Sequence, residues 1–306
     1  MQVKRFSDNP IIKPTLDESI GANINGPSLL RVPDWLPNPL GQYYLYFAHH
    51  QGAFIRLAYA DALSGPWTIY PPGTLRLEQT PCYHHIASPD LHIDNDNRRI
   101  LMYYHGPSVR REELEADPLK QKYPFLEGQR SLLAVSENGL DFTSDTEILG
   151  PSYFRVFRYP DTTAGWYYAL AMPGILFRSR DGRTNFEPGP VLFDRDQRHA
   201  ALLLRDDILY VFYSRAGDCP EHILCATINL RPHWNEWKAS APFSILEPET
   251  EYEGIDLPLE PSQRGAIHEP ARQLRDPGIY KEGGRTYLLY SVAGESGIAL
   301  AELQFN

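Results

Sequence analysis

The sequence has few cysteines, no long apolar run and no excess of positive charge, and each shortage narrows what the chain can be. Its three cysteines among 306 residues, Cys82, Cys219 and Cys225, are odd in number and lack C-x-x-C spacing. They read as free thiols of a reducing compartment, not as a disulfide frame. No stretch approaches the roughly 18 apolar residues of a membrane span. The opening MQVKRFSDNPIIKP lacks the apolar core and small-residue cleavage site of a secretory signal. The expectation is a cytoplasmic protein with no membrane partner. A formal net charge of −10 argues against nucleic acid as the main partner. Glycine-rich phosphate loops, G-x-S-x-G elbows and H-E-x-x-H or Cys/His zinc spacings are missing too, so neither a cofactor nor a metal is expected.

What the chain does have is an internal repeat, the feature to look for before any secondary structure is assigned. Five units begin near residues 25, 87, 150, 198 and 275. Each couples a first strand, in most units led by proline, to an aromatic second strand and a third strand rich in small residues. The second strands align at 43–47, 101–104, 166–170, 209–213 and 286–290. Alternating Tyr-rich or β-branched residues bounded by Gly, Pro, Asn and Asp specify strands and tight turns. Four strands per unit, repeated radially, predict an all-β, five-bladed propeller forming a single domain over residues 1–306. The last unit stops after its third strand at Asn306, which leaves an edge, and a segment around 9–13 is expected to pair there and close the ring. Two long stretches interrupt the pattern. Residues 109–129 are charged and read as a short helix or a solvated insertion, and residues 247–273 are acidic and proline-rich.

In a propeller the innermost strands line a central channel, so the residues that open them converge. Those openings are Asn25-Gly26-Pro27, Ser88-Pro89-Asp90, Gly150-Pro151-Ser152, Arg198-His199-Ala200 and Arg275-Asp276-Pro277. Asp90, Asp276 and His199 are therefore candidates at one mouth. Tyr153 and Arg155, two residues apart, share a strand face. Histidines gather near strand ends at His49-His50, His84-His85, His105, His199, His222 and His268. Adjacent strand residues point to opposite faces, so each pair offers at most one group to one site.

The segments GPSLLRV, SPDLHID, GPSYFRV and RDPGIYKEGGRTYLLY make the chain resemble the five-bladed β-propeller glycoside hydrolases, the superfamily of family 43 with families 32, 62, 68, 117 and 130. The resemblance implies a carbohydrate substrate and carboxylate acid/base chemistry at the channel. Asp90 matches the family's pKa-modulating aspartate. The usual base and acid positions are occupied by Gly26 and Leu149, so the working carboxylates are expected elsewhere. Asp276, held ionised by Arg275, is a candidate base, and Glu269 and Glu221 are candidates for the acid. Asn25, His85, Tyr153, Arg155, His199 and Arg275 are expected to bind substrate. The implied activity is that of a glycosidase, exo-acting on a short oligosaccharide or furanoside. Two alternatives stay open: a phosphorylase like family 130, with phosphate held by Arg155, Arg272, Arg275 and His199, or a sugar-binding propeller without catalysis.

Overall fold

A computed structural model describes residues 1–159 and 165–305. Residues 160–164, in the expected turn of the third unit, and Asn306, the expected chain end, lie outside the described residues.

Five sheets form five blades. Blade 1 holds Asn25–Arg31, Tyr43–Ala48, Arg56–Ala60 and Thr68–Tyr70. Blade 2 starts with Ala87–Asp94, Arg99–Pro107 and Gln129–Ser136, and two short pieces, Thr143–Ser144 and Gly150–Pro151, pair with its third strand. Blade 3 runs from Arg155–Tyr159 to Glu187–Val191, and blade 4 from Gln197–Arg205 to Phe243–Leu246. Blade 5 holds Arg275–Glu282, Arg285–Ser291 and Ile298–Gln304. Every neighbouring pair in these sheets is antiparallel, as tight turns between alternating strands require. Aromatic and aliphatic side chains of facing blades pack the seams between them. Tyr44 and Tyr46 of blade 1, for example, are buried with Ile100, Met102 and Tyr104 of blade 2.

Two sequence expectations need correcting. The strand that closes the ring is Gln2–Arg5, which pairs with Ile298–Gln304 in the register Gln2↔Gln304 to Arg5↔Ala301. Residues 9–13 add one bridge, Ile12↔Ile298, and the Asn9 side chain bonds the backbone of Leu300 at both N and O. Pro10 and Pro14 cannot donate to a ladder, which keeps this segment from running as a strand. The second correction concerns blade 3, whose innermost strand begins at Arg155 and not near Gly150. Gly150 and Pro151 instead pair with Ser131 and Arg130. The Ser131 hydroxyl fixes the crossing, donating to the Pro151 carbonyl at 2.6 Å and accepting from the Phe154 amide at 3.1 Å.

Both long stretches are ordered against the propeller. Within residues 109–129 a short helix, Pro118–Lys122, is capped by Asp117, whose side chain accepts from the Lys120 amide at 2.8 Å. The same carboxylate takes a 2.7 Å bond from buried Arg130. Residues 247–273 are tied to blade 4 where the Gly217 amide donates to the Ser262 carbonyl and the Ser262 amide to the Asp218 carbonyl. No helix among the described residues is long and apolar enough to cross a membrane.

Candidate functional site

The innermost strands share a distortion that builds the mouth of the channel. Those of blades 1, 2, 4 and 5 shift register between Asn25 and Ser28, Ala87 and Asp90, Gln197 and Ala200, and Arg275 and Gly278. Such bulges re-aim side chains at the rim of a sheet. Gly26, Ser88, Tyr153 and Asp276 all sit at positive φ, at +60°, +50°, +64° and +47°. Below the bulges the strands close up. A Cβ on Gly278 would lie 2.5 Å from the Pro27 carbonyl oxygen, so glycine alone lets blades 5 and 1 meet there. Arg155 helps to seal the centre, its guanidinium donating to carbonyls of Ala200, Ser88 and Phe154 at 2.9, 3.0 and 3.3 Å.

Two cavities result, one at each mouth. The upper, of 330 Å³, is lined by Asn25, His50, His85, His105, Tyr153, Arg198 and His199, with Phe125 to Glu127 from one long stretch and Arg264 and Gly265 from the other. The lower, of 370 Å³, is lined by Asp90, His92, Arg155 and Lys281 among others. Asp90 and Asp276 therefore do not share a mouth. Asp90 lies two positions further along its strand, past the bulge, where its carboxylate faces His92 at 2.9 Å and accepts from the Val156 amide at 2.9 Å. Burial pushes its pKa up, but His92, Arg155 and that amide outweigh it and hold the carboxyl below its ordinary range.

At the upper mouth Tyr153 lies between two imidazoles, 4.1 Å from His105 and 4.4 Å from His199 between ring centroids. Behind this stack His199 Nδ1 contacts Asp276 Oδ1 directly, both residues being almost fully buried. Asp276 Oδ2 is buried without a hydrogen-bond partner. Burial raises the Asp276 pKa although Arg198, Arg275 and His50 oppose the rise. Burial also pushes the pKa values of His199 and His105 well below the ordinary value, reinforced by Arg198 for His199 and by His85 and then Arg155 for His105, and takes that of His85 down to about 4. Burial thus disfavours the charged forms of both Asp276 and His199, the reverse of the arginine-held ionised base expected at Asp276.

Arg275 does not hold Asp276. It bonds Gln273 at 2.6 and 3.0 Å and forms ion pairs with Glu221 at 3.1 Å and Glu295 at 3.2 Å. Glu221 is fully buried between Arg275, Arg198 at 3.2 Å and the Ser214 hydroxyl at 2.6 Å. Glu295 receives Asn23 at 2.7 Å and Asn25 at 3.0 Å and lies 3.2 Å from His50. Burial raises its pKa, yet these partners bring the net value below the ordinary range. Glu269 is exposed and stands outside the cavity lining.

The structure therefore brings together Asn25, His85, Tyr153, His199 and, one layer down, Asp276. It separates Asp90 and Glu269 from them and makes Arg155, Arg275 and Glu221 internal ties. Arg195, Arg198 and Arg264, which also line the upper cavity, were not picked out by the sequence. Position in the repeat was the only signal available for Arg198, which directly precedes His199. Among the described residues no three His, Cys, Asp or Glu side chains are grouped so as to hold a metal ion.

The chain is similar to "Uncharacterized protein R118" of Acanthamoeba polyphaga mimivirus, with 36% identity over 340 residues, 98% of this chain and 90% of that protein. No protein-family model matches it. Among solved structures, an exo-β-1,3-galactanase from Phanerochaete chrysosporium with β-1,3-galactotriose superposes with a TM-score of 0.59 at 12% identity over 92% of this chain, which spans 60% of the galactanase chain. A family 43 β-xylosidase/α-arabinofuranosidase from a compost metagenome, in complex with xylotriose, gives 0.59 at 14% identity, covering 94% of this chain and 93% of its own. An exo-1,5-α-L-arabinanase from a bovine ruminal metagenomic library gives 0.58 at 12% identity, covering 93% and 94%. At these identities the likeness shows a shared five-bladed fold.

Proposed function

The chain belongs to one family with the mimiviral protein R118 and has the propeller of the family 43 glycoside hydrolases, and on that premise we propose that it cleaves a glycosidic bond in the upper cavity. The observation that carries the reading is the buried Asp276–His199 pair behind a cavity of 330 Å³ walled by both long stretches. That volume suits one or two sugar rings, and the walls favour attack at a chain end.

The pair is the proton source in this reading. With the proton on Asp276, His199 Nδ1 accepts it while Nε2–H donates to the departing glycosidic oxygen, so one proton crosses the ring without a free imidazolium. Water bonds to the anomeric carbon as that oxygen leaves, and its proton passes to the neutral imidazole of His85. Asn25, fixed by Glu295, and the Tyr153 ring complete the sugar contacts.

Turnover of a panel of 4-nitrophenyl pyranosides and furanosides tests this. Asp276→Asn and His199→Gln are each expected to lower kcat/KM by about 10²–10⁴, and Asp90→Asn, at the opposite mouth, by less than about threefold. Undiminished turnover in Asp276→Asn would sink the assignment, and sugar binding without turnover by any variant or the parent would establish a binding propeller.

A second reading, phosphorolysis, is favoured by one observation. Among the described residues the only carboxylate lining the upper cavity is Glu127, which is largely exposed. A two-carboxylate hydrolysis needs a base near the anomeric carbon, whereas ionised phosphate attacks without one. Equal turnover with and without phosphate dismisses this reading.

A further inference from the structure

Arg195 and Arg264 meet at the rim of the upper cavity, in a chain whose net charge is −10. The Arg264 side chain donates to the backbone carbonyl of Arg195, and the Arg195 guanidinium stands 5.8 Å from the Phe125 ring. Arg198 lines the cavity below them, buried and fixed by carbonyls of Gln263 and Gly265. Like charges repel, and after burial it is Arg198 and Arg195 that lower the Arg264 pKa, against the opposing pull of Asp196.

The negative charges nearby cancel it only in part: Glu127 also lines the cavity, 4.0 Å from Lys120, against three lining arginines. Glu221 is shared by Arg198 and Arg275 beneath the cavity. Asp194 turns to Arg215 at 2.8 Å, and Asp196 lies 3.9 Å from Arg215 and 4.0 Å from Arg264, outside the cavity lining. Among the described residues no carboxylate lies within ion-pair distance of Arg195. Burial disfavours the charged forms of the lining imidazoles His85, His105 and His199, and His50 lies against Glu295, so the surplus positive charge of the cavity is carried chiefly by its arginines.

We propose that this rim is an oxyanion subsite, and that the sugar taken by the upper cavity carries a carboxylate or an ester of phosphate or sulfate that Arg195 and Arg264 bind. The planar, permanently charged forks of two arginines suit such groups, and hydrogen bonds to a charged acceptor are roughly twice as strong as neutral ones. The proposal rests on the sugar-binding reading of the cavity but not on catalysis there. An exposed rim also means that the subsite is reached from solvent and that its contribution is weakened by salt.

Calorimetric titration of the full chain with galacturonate, glucuronate, their neutral parents galactose and glucose, and inorganic phosphate tests the subsite. At least one uronate is expected to bind about tenfold or more tightly than its neutral parent, with affinity falling as sodium chloride rises. Arg195→Gln and Arg264→Gln are each expected to weaken that binding by about tenfold while leaving the neutral sugar unchanged. Both side chains are exposed, so neither change threatens the fold. Phosphate that displaces the uronate, with the same sensitivity to both changes, supports a substituent of the sugar as the bound anion. Phosphate that binds together with a neutral sugar supports a free oxyanion in the same subsite. Neither phosphate nor uronate binding in a manner sensitive to Arg195→Gln or Arg264→Gln overturns the proposal. Because the readout is binding, it is independent of whether Asp276→Asn abolishes turnover.

Discussion

Glu221 illustrates how a buried carboxylate is assigned a role at the scale of one residue. A proton donor needs an oxygen free to face its substrate, yet both Glu221 oxygens are occupied, Oε1 by Ser214 and Oε2 by Arg198 and Arg275. Removing one partner of a buried ion pair leaves the others uncompensated, which costs more than the pair itself contributes. Glu221→Gln is therefore expected to lower unfolding free energy by on the order of 3 kcal/mol, read as a shift of the urea midpoint at unchanged slope. A carboxylate acting only on substrate would cost activity and leave that midpoint in place. Asp276 is the contrasting case, with one oxygen against His199 and the other buried without a partner.

At the scale of strands and loops, the centre of the propeller is set by how closely the innermost strands approach. At Gly278 the approach is close, and a methyl group there meets backbone on the neighbouring blade, which cannot rotate away. Gly278→Ala is expected to cost about 1–3 kcal/mol through overpacking, whereas alanine at exposed Gly283 meets nothing within 4 Å and pays only for its positive φ of +56°. If Gly278→Ala melts with the parent chain, blades 5 and 1 are not in the contact described.

The repeat that positions these strands was legible because aromatic second strands recur in all five units, and their observed spans contain the expected ones. The closing strand was not, since Gln-Val-Lys-Arg is four residues long with one apolar side chain and no turn signal. The start of blade 3 was hidden by Gly150-Pro151, which imitates the proline-led openings but belongs to the edge of blade 2. The site divides in the same way. His199 and Asp276 follow from strand openings, whereas Tyr153 precedes the strand it was expected to share with Arg155, Arg195 and Arg264 reach the cavity from connections whose paths no periodicity specifies, and Asp90 was misplaced because it lies beyond a one-residue bulge in its strand.

For the whole molecule, the histidines gathered at one mouth tie stability to pH. Burial lowers the pKa values of His49, His85, His105 and His199 below 6.5, His85 to about 4. Between 6.5 and those lower values the unfolded chain binds protons that the native chain does not, so stability rises with pH across this window and is lost on acidification. Asp276 works the other way, because a raised pKa makes the native state the better proton binder above 3.8. Asp218, whose pKa burial also raises, acts in the same sense, so two such carboxyls oppose four imidazoles, and the imidazoles prevail. The melting temperature is expected to be highest near neutral pH and to fall steadily from about pH 6.5 toward pH 4, before the lowered carboxyls of Glu295 and Asp90 begin to protonate. His85→Gln, which removes one titrating ring at the cavity edge, is expected to flatten that fall. Scanning calorimetry in buffers from pH 4 to pH 8 at constant ionic strength measures both profiles, and a melting temperature that holds or rises between pH 7 and pH 5 would show that the imidazoles are not held neutral by burial.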